Sequence, residues 1–214
     1  MSHILIIGAH GRIALLAAPL LTARGDEVTG VIRNPDHAVD VSATGATPVV
    51  ADIERLDTAA LADLLRGHDA IVWSAGAGGG DPARTAAVDR DAAIRSIDAA
   101  RDAGVRRYVM VSYLGSGLDH GLSPEDSFYP YAEAKAAADA HLRASTLDWT
   151  ILAPGPLTFD EPTGLIEVAR PGRGQVSRAD VASVIAATLA EPRTVHRRIA
   201  FGAGSTPIAE AIAG

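Results

Sequence analysis

The 214-residue chain carries a formal charge of −7, and its few basic residues form no stripe. That balance argues against a nucleic-acid surface, because such surfaces follow phosphates with clustered lysine and arginine. The arginine pairs at residues 106–107 and 197–198 are interpreted as solvated strand edges. The length suits one domain with a sizeable core, and the high alanine content favours helices packed on a sheet.

Cysteine is absent, which excludes disulfides and thiolate ligands. The seven histidines show no metal-binding spacing, so no metal is expected. The apolar runs are too short for a membrane span, and the chain opens in a core strand rather than a leader. We therefore expect a cytoplasmic protein with no membrane contact.

The first elements are a buried strand and a glycine-containing loop. Residues 3–7 (HILII) are typical of a buried strand, and residues 8–14 (GAHGRIA) follow directly. Gly8 permits a tight turn, Gly11 lets the backbone approach a pyrophosphate, and Ala14 lets the next helix pack closely on the strand. The anion would lie at that helix's N-terminus. The pattern predicts dinucleotide binding, with an ordinary glycine turn as the alternative.

Further apolar runs alternate with helical stretches along the chain. The predicted strands after the first are residues 27–32, 47–51, 70–73, 107–111 and 149–152, and the predicted helices are residues 12–23, 58–66, 82–103, 131–145 and 177–190. Gly25, Gly67 and Gly104 mark helix ends, and residues 177–180 (SRAD) read as a capping box. The alternation predicts a Rossmann-type α/β fold, a doubly wound parallel sheet in a single domain over residues 1–214, with a small C-terminal substrate-loop region.

Three irregular stretches each follow the carboxyl end of a strand: residues 76–81, 115–130 and 154–174. Ligands of doubly wound sheets bind at that edge. These stretches are therefore interpreted as binding loops or lids.

The residues after the second strand favour NADP(H) over NAD(H). An NAD site would place an acidic residue there to accept the ribose hydroxyl, whereas this chain has Arg33 and Asn34, which suit a 2′-phosphate. Arg12 is expected to add a second positive group, and Arg33 as an ordinary surface residue is the alternative. Asp52 is expected to accept a hydrogen bond from the adenine amino group, or else to cap the following segment. Small residues at 74–76 would let the middle of the cofactor pass.

A tyrosine and the chain's one lysine suggest the chemistry. Tyr131 and Lys135 stand four residues apart on one face at the start of a predicted helix. A phenol beside a fixed cation ionises more readily and can exchange a proton with a carbonyl oxygen during hydride transfer. Ser112, at the end of the fifth strand, is placed to hold the same oxygen. A surface helix with a stray tyrosine is the alternative.

The chain resembles the atypical short-chain dehydrogenase/reductases, in the compact NAD(P)H-binding branch similar to NmrA-like proteins and flavin or biliverdin reductases. The motifs that carry the resemblance are residues 8–13, Asp52, residues 88–112, 131–135, 149–155 and 177–182. They cover nearly the whole chain and identify the superfamily rather than a substrate. The resemblance implies that Lys135 binds the nicotinamide ribose and that Tyr131 is the proton donor. Relatives commonly carry arginine where this chain has Ala153, and the spacing from Ser112 to Tyr131 is longer than in standard members.

The predicted catalytic residues are therefore Tyr131, Lys135 and Ser112. The predicted cofactor-binding residues are Gly8, His10, Gly11, Arg12, Ile13, Arg33, Asp52, Ile53, Ser74, Ala75, Gly76, Lys135 and Pro154. The expected function is NADPH-dependent reduction of a small carbonyl, quinone or flavin-like acceptor. A non-catalytic NADP(H) sensor or scaffold is the alternative, and sugar-nucleotide epimerase or dehydratase chemistry is disfavoured by the small C-terminal region. The long helices leave both a homodimer contact and internal packing open.

Overall fold

The computed structural model of this chain describes residues 1–78, 81–168 and 174–214. Its strands are β1 His3–Ile7, β2 Glu27–Ile32, β3 Thr47–Val50, β4 Ala70–Trp73, β5 Arg107–Val111, β6 Asp148–Pro154, β7 Leu157–Thr158, β8 Leu165–Glu167, β9 Val176–Ser177, β10 Arg197–Ala203 and β11 Thr206–Pro207. Its α-helices are α1 Ala14–Ala23, α2 Ala38–Ala43, α3 Thr58–Leu65, α4 Pro82–Thr85, α5 Ala93–Asp102, α6 Tyr129–Ala144, α7 Arg178–Ala190 and α8 Ile208–Ala213. A π-helical segment, Ala86–Ala92, joins α4 to α5. Short 3-10 turns lie at Pro35–His37 and Pro192–Thr194.

Across the described ranges, nine strands form one sheet in the order β11-β8-β10-β6-β5-β4-β1-β2-β3. The strands from β10 to β3 are all parallel to their neighbours, and only β8 runs antiparallel to β10 and β11. The short strands β7 and β9 form a separate parallel pair. The strand order reverses beside β1, because β2 and β3 lie on one side of it and β4 to β6 on the other. This topology confirms the Rossmann-type fold and places the expected ligand crevice at the carboxyl ends of β1 and β4.

Both faces of the sheet are covered, as the parallel topology requires. Alternate residues of β1 point to opposite faces. Ile4 and Ile6 belong to the hydrophobic layer that also contains residues of α1, α7 and α8, whereas Leu5 and Ile7 belong to the layer that contains residues of α3, α5 and α6. All four side chains are almost completely buried. The two hydrophobic layers hold the sheet rigidly and leave its carboxyl edge free to carry loops.

The helix boundaries follow the local signals with small shifts. Helix α1 begins at Ala14 rather than residue 12, since residues 8–13 are used by the turns of the glycine loop. Helix α6 begins two residues early, at Tyr129, because Pro130 is favourable in the first turn. The predicted helix 82–103 contains the π-helical segment, which periodicity did not indicate.

The local signals at helix ends are confirmed. Gly25, Gly67 and Gly104 have positive φ angles of 91°, 84° and 77°. Ser177 caps α7 by accepting a hydrogen bond from the Asp180 N–H at 2.9 Å. The C-terminal region, expected to be a small loop region, also supplies β8, β10, β11 and α8.

The interpretation of the arginine pairs as solvated edges is wrong for Arg107, Arg197 and Arg198, whereas Arg106 is exposed. Arg197 is half-buried and donates to Ile212 O at 2.8 Å. Arg107 is largely buried and donates hydrogen bonds to the hydroxyls of Thr150 and Thr194 at 2.9 and 3.0 Å, and burial lowers its pKa to about 10. Arg198 donates to the carbonyl oxygen of Leu114 at 2.7 Å, which anchors the loop after β5. Because these arginines find backbone and hydroxyl partners, they tie the sheet to its loops. Within the described ranges no helix combines the length and apolarity needed to cross a membrane.

Candidate functional site

Two adjoining cavities open at the carboxyl edge of the sheet. The first has a volume of about 270 Å³ and lies at the ends of β1, β2 and β3, whereas the second has about 860 Å³ and lies between the end of β5, the π-helical segment and the start of α6. Gly11 and residues 74–76 line both cavities. An elongated ligand can therefore occupy both by passing over these small residues.

The glycine loop fits close approach of a ligand backbone. Gly8 has φ +84°, and a Cβ atom there would lie 2.6 Å from Ala75 Cα. A Cβ on Gly11 would lie 3.0 Å from Gly8 O, in the turn where the Gly11 N–H donates to that same oxygen at 2.9 Å. The N-terminus of α1 follows at Ala14, so the dipole of this helix favours an anion beside the loop. The residues present fit a dinucleotide diphosphate.

Most of the predicted cofactor-binding residues line the first cavity. They are Gly8, His10, Gly11, Arg33, Asp52, Ile53, Ser74, Ala75 and Gly76. Ile13 lines the second cavity instead, together with the predicted catalytic residues. Pro154 is not among the described residues that line either cavity. It ends β6, where its carbonyl oxygen accepts a hydrogen bond from the Leu114 N–H at 2.8 Å.

Arg33 does not stand alone in the first cavity. Its Nη1 lies 2.8 Å from Glu54 Oε1, and Arg84 Nε approaches the same carboxylate oxygen at 3.4 Å. Glu54, which the sequence reasoning missed, therefore partly neutralises the charge expected to face a 2′-phosphate. Asp52 accepts a hydrogen bond from the Glu54 N–H at 3.2 Å, so it caps the following turn while lining the cavity.

His10 belongs to a small cluster that the sequence did not indicate. Its ring stacks on that of His37 with 3.6 Å between the ring centroids, and its Nε2 lies 2.9 Å from Asp40 Oδ2. Both rings line the first cavity. The contact between His10 and Asp40, which are 30 positions apart, shows that residues 35–40 fold over the glycine loop.

The expectation that Arg12 adds a second positive group beside Arg33 is not met. Its guanidinium lies 5.1 Å from the centroid of the Phe159 ring, and Arg12 is not among the described residues lining the first cavity. Its loop neighbours Gly11 and Ile13 both line the second cavity. The Phe159 ring, far away in sequence, attracts the Arg12 cation through its π face.

The three predicted catalytic residues share the second cavity, as do the Asp89 carboxylate and the Phe128 ring. Lys135 is almost completely buried, and its Nζ donates to Val111 O at 2.8 Å. Ser112 Oγ donates to Asp139 Oδ2 at 2.7 Å. The Ser112 hydroxyl proton is thus committed to Asp139, and no hydrogen bond joins Ser112 to Tyr131 among the described residues.

Two buried carboxylates that sequence reasoning missed flank the lysine. Asp89 belongs to the π-helical segment and accepts a hydrogen bond from the Ala77 N–H at 3.0 Å. Asp139 lies one turn after Lys135 on α6, and its Oδ1 has no hydrogen-bond partner among the described residues. The spacing of Lys135 and Asp139 is visible in the sequence, whereas Asp89 reaches the site only through the packing of the π-helical segment on α6.

Burial dominates the titration of this cluster. It lowers the pKa of Lys135, against the opposing effects of Asp139 and Asp89, and it raises the pKa of Asp89, against those of Lys135, Ala77 N–H and Arg84. Burial also raises the pKa of Tyr131, with further increases from Asp89, Tyr113 and Asp139. The expected easier ionisation of Tyr131 is therefore wrong for this structure. Burial and the neighbouring carboxylates keep the side chain a neutral phenol that can donate its proton.

Aromatic rings define one wall of the second cavity. The ring centroids of Phe128 and Tyr131 lie 5.0 Å apart, and Tyr113 lies 5.3 and 5.5 Å from them. This cluster closes the stretch 115–130 over the start of α6, so the predicted binding loop does reach the cavity. The predicted loop 76–81 lines the same cavity through residues 76–78 and 81, and its residues 79 and 80 lie outside the described residues, as do residues 169–173 of the loop 154–174.

The fold and the glycine loop define a Rossmann-type dinucleotide-binding protein. The chain belongs to an NAD(P)H-binding family, NAD_binding_10, whose model matches residues 8–192. It is 35% identical over 212 residues to YhfK of Bacillus subtilis, described as an uncharacterized sugar epimerase, with 98% of each chain covered.

Two solved structures extend the comparison. A Bacillus halodurans protein assigned provisionally as an NAD-dependent epimerase/dehydratase is 32% identical, with 99% of each chain covered and a TM-score of 0.90. ChuY, an anaerobillin reductase of Escherichia coli O157:H7, is 27% identical, with 94% of this chain and 97% of that chain covered and a TM-score of 0.79. These neighbours fit the resemblance to epimerase- and reductase-like members of the short-chain dehydrogenase/reductase group.

Proposed function

We propose that this protein is an NADPH-dependent reductase of a small carbonyl, quinone or flavin-like acceptor. The observation that carries the proposal is that Tyr131 and Lys135 line a cavity adjoining the glycine-loop cavity across residues 74–76. A dinucleotide with its diphosphate at Gly8 and Gly11 would extend its other end toward these two residues. The anaerobillin reductase among the similar structures supports a reductase of this size.

The chain's own groups suit proton delivery and orientation. NADPH, when bound, supplies the hydride. Tyr131, a neutral phenol at the cavity wall, would donate its proton to the acceptor oxygen. Lys135, whose Nζ donates to Val111 O, would orient the ribose. The Ser112 hydroxyl donates its proton to Asp139, so it offers only oxygen lone pairs to the contents of the cavity. A flat acceptor that takes the hydride directly would not need Tyr131.

The test follows NADPH absorbance with purified protein and a panel of quinones, flavins, aldehydes and ketones. Acceptor-dependent loss of NADPH is the expected result. Tight NADPH binding without loss across the panel would contradict the proposal and favour a sensor. Epimerisation, the activity named for two similar proteins, returns the hydride to its substrate, so it too would leave NADPH unconsumed.

The preference for NADP(H) is part of the proposal and depends on Arg33. Replacing Arg33 with glutamine should weaken NADPH binding about tenfold or more and leave NADH binding nearly unchanged, because only NADPH carries the 2′-phosphate. Glu54→Gln should strengthen NADPH binding, since it releases Arg33 from its 2.8 Å ion pair. Both affinities are measured by the quenching of protein fluorescence.

The matched control is Arg66→Gln, which removes an exposed arginine paired with Asp63 on α3. It should change neither affinity. Equal losses of NADPH and NADH binding in Arg33→Gln would contradict the assignment of Arg33 to the 2′-phosphate.

A further inference from the structure

An exposed aromatic ring lies between two arginines beside the second cavity. Phe159 is 74% exposed, which is unusual for so large an apolar side chain. The guanidinium carbons of Arg178 and Arg12 lie 4.1 and 5.1 Å from its ring centroid. We call these three residues the arginine rim.

The arginine rim adjoins residues that line the second cavity, since Arg178 Nη1 donates to Leu157 O at 3.3 Å. Arg12 stands between two loop residues that line this cavity, and Leu157, two positions before Phe159, lines it as well. Arg178 Nη1 donates to Thr158 O at 2.9 Å, which fixes the backbone next to Phe159. The rim therefore has a defined position relative to the cavity that holds Tyr131 and Lys135.

The ion pairs between described residues include neither Arg12 nor Arg178, although the whole chain carries a charge of −7. Asp160 and Glu161, which follow Phe159 directly, are exposed and belong to none of these pairs. An arginine on an aromatic face is weakly hydrated and suits an oxyanion. Arg178 Nη1 donates to the carbonyl oxygens of Leu157 and Thr158, so its donors toward an oxyanion are Nε and Nη2. The rim thus combines an aromatic surface with two unpaired cations.

We infer that the arginine rim binds the anionic group of a planar aromatic acceptor whose ring occupies the second cavity. The inference rests on the proposed function for the nature of the cavity's ligand. Phe128 and Tyr131 offer aromatic surface to the acceptor's ring. The Arg12 guanidinium and the Nε and Nη2 groups of Arg178 offer N–H donors to a phosphate or carboxylate outside that ring. The acceptor class is therefore narrowed from small neutral carbonyls to flat, negatively charged molecules.

The experiment compares FMN with riboflavin, because the two share one ring system and differ in a phosphate. Binding is measured by flavin fluorescence in the presence of saturating NADP⁺, which keeps the cofactor cavity filled. Wild-type protein should bind FMN about tenfold or more tightly than riboflavin. Arg12→Gln and Arg178→Gln should each reduce that difference and leave riboflavin binding unchanged, which also shows that the cavity is intact.

The control is Arg193→Gln, which removes an exposed guanidinium paired with Glu191 away from the rim. It should preserve the advantage of FMN. Equal binding of the two flavins by wild-type protein, failure of both to bind, or an FMN advantage that persists in Arg12→Gln would overturn the inference.

NADPH affinity shows whether Arg12 binds the anionic group of the acceptor or the diphosphate of the cofactor. If Arg12→Gln weakens NADPH binding and leaves FMN binding unchanged, Arg12 serves the cofactor's diphosphate and the inference is wrong. Turnover is a separate readout. If FMN binding depends on the arginines but no acceptor causes NADPH oxidation, the proposed function is wrong and the inference stands. If other acceptors cause NADPH oxidation but neither flavin binds, the inference is wrong and the proposed function stands.

Discussion

Replacing Tyr131 with phenylalanine should lower kcat for a carbonyl acceptor by about 10²- to 10⁴-fold, the usual contribution of a positioned general acid. The affinity for NADPH should change little, because the phenol is assigned to the acceptor rather than to the cofactor. Burial and the nearby carboxylates keep Tyr131 protonated by raising its pKa, so the lost group is a proton donor. Steady-state kinetics with the best carbonyl of the panel, together with NADPH titrations, measure both quantities.

Tyr113→Phe is the matched control for this experiment. Its ring centroid lies 5.5 Å from that of Tyr131, and its hydroxyl is buried with no partner in the described part of the chain. Removing that hydroxyl should leave kcat near the wild-type value. Carbonyl reduction that is unchanged in Tyr131→Phe would show that the proton comes from elsewhere. Reduction of riboflavin should survive the substitution, since a flavin can accept hydride directly.

Replacing Lys135 with methionine should reduce the free energy of unfolding by about 3–5 kcal/mol. Methionine fills the space of the lysine stem, but it leaves the carboxylates of Asp89 and Asp139 buried without their cation. Both carboxylates are at most 1% exposed, so leaving their charge without the ammonium is costly. Urea denaturation followed by circular dichroism measures the loss.

Two companion variants show whether the loss has this electrostatic cause. Adding Asp139→Asn to Lys135→Met should recover part of the stability, because it removes one unpaired charge. Arg193→Met, which breaks an exposed ion pair with Glu191, should cost no more than about 1 kcal/mol. A loss from Lys135→Met as small as that of Arg193→Met would mean that the buried ammonium does not stabilise the carboxylates.

The polar side chains around Lys135 show which parts of the site can be predicted from the sequence. Tyr131 and Lys135 lie four residues apart on one helix, so their common face follows from the helical repeat. Asp89 is distant in sequence, and it enters the same cavity because the π-helical segment turns its carboxylate toward Gly76 and Ala77. No periodicity in the sequence indicates that this helix contains a π-helical segment. The sequence likewise did not indicate that the Ser112 hydroxyl donates to Asp139.

The arginines illustrate the same limit. Arg33 was expected beside a 2′-phosphate and does line the first cavity, but its pairing with Glu54 depends on how the turn after β3 packs against the end of β2. Arg12 stands in the loop as expected, yet its side chain meets Phe159, almost 150 positions later. A long, charged side chain has many rotamers, and only the surrounding fold selects among them.

The sequence by itself determined most of the strands and helices between β1 and α7, the glycine loop at the end of β1 and the common face of Tyr131 and Lys135, because each depends on residues close together in the chain. Hydrophobic periodicity, turn residues and helix caps act over a few positions, so they can be recognised in the sequence. The tertiary structure alone brought Asp89 to Lys135, oriented the side chains of Arg12 and Arg33, and joined the two cavities at residues 74–76. Those features join distant segments, and their geometry is set by side-chain packing that no local pattern records.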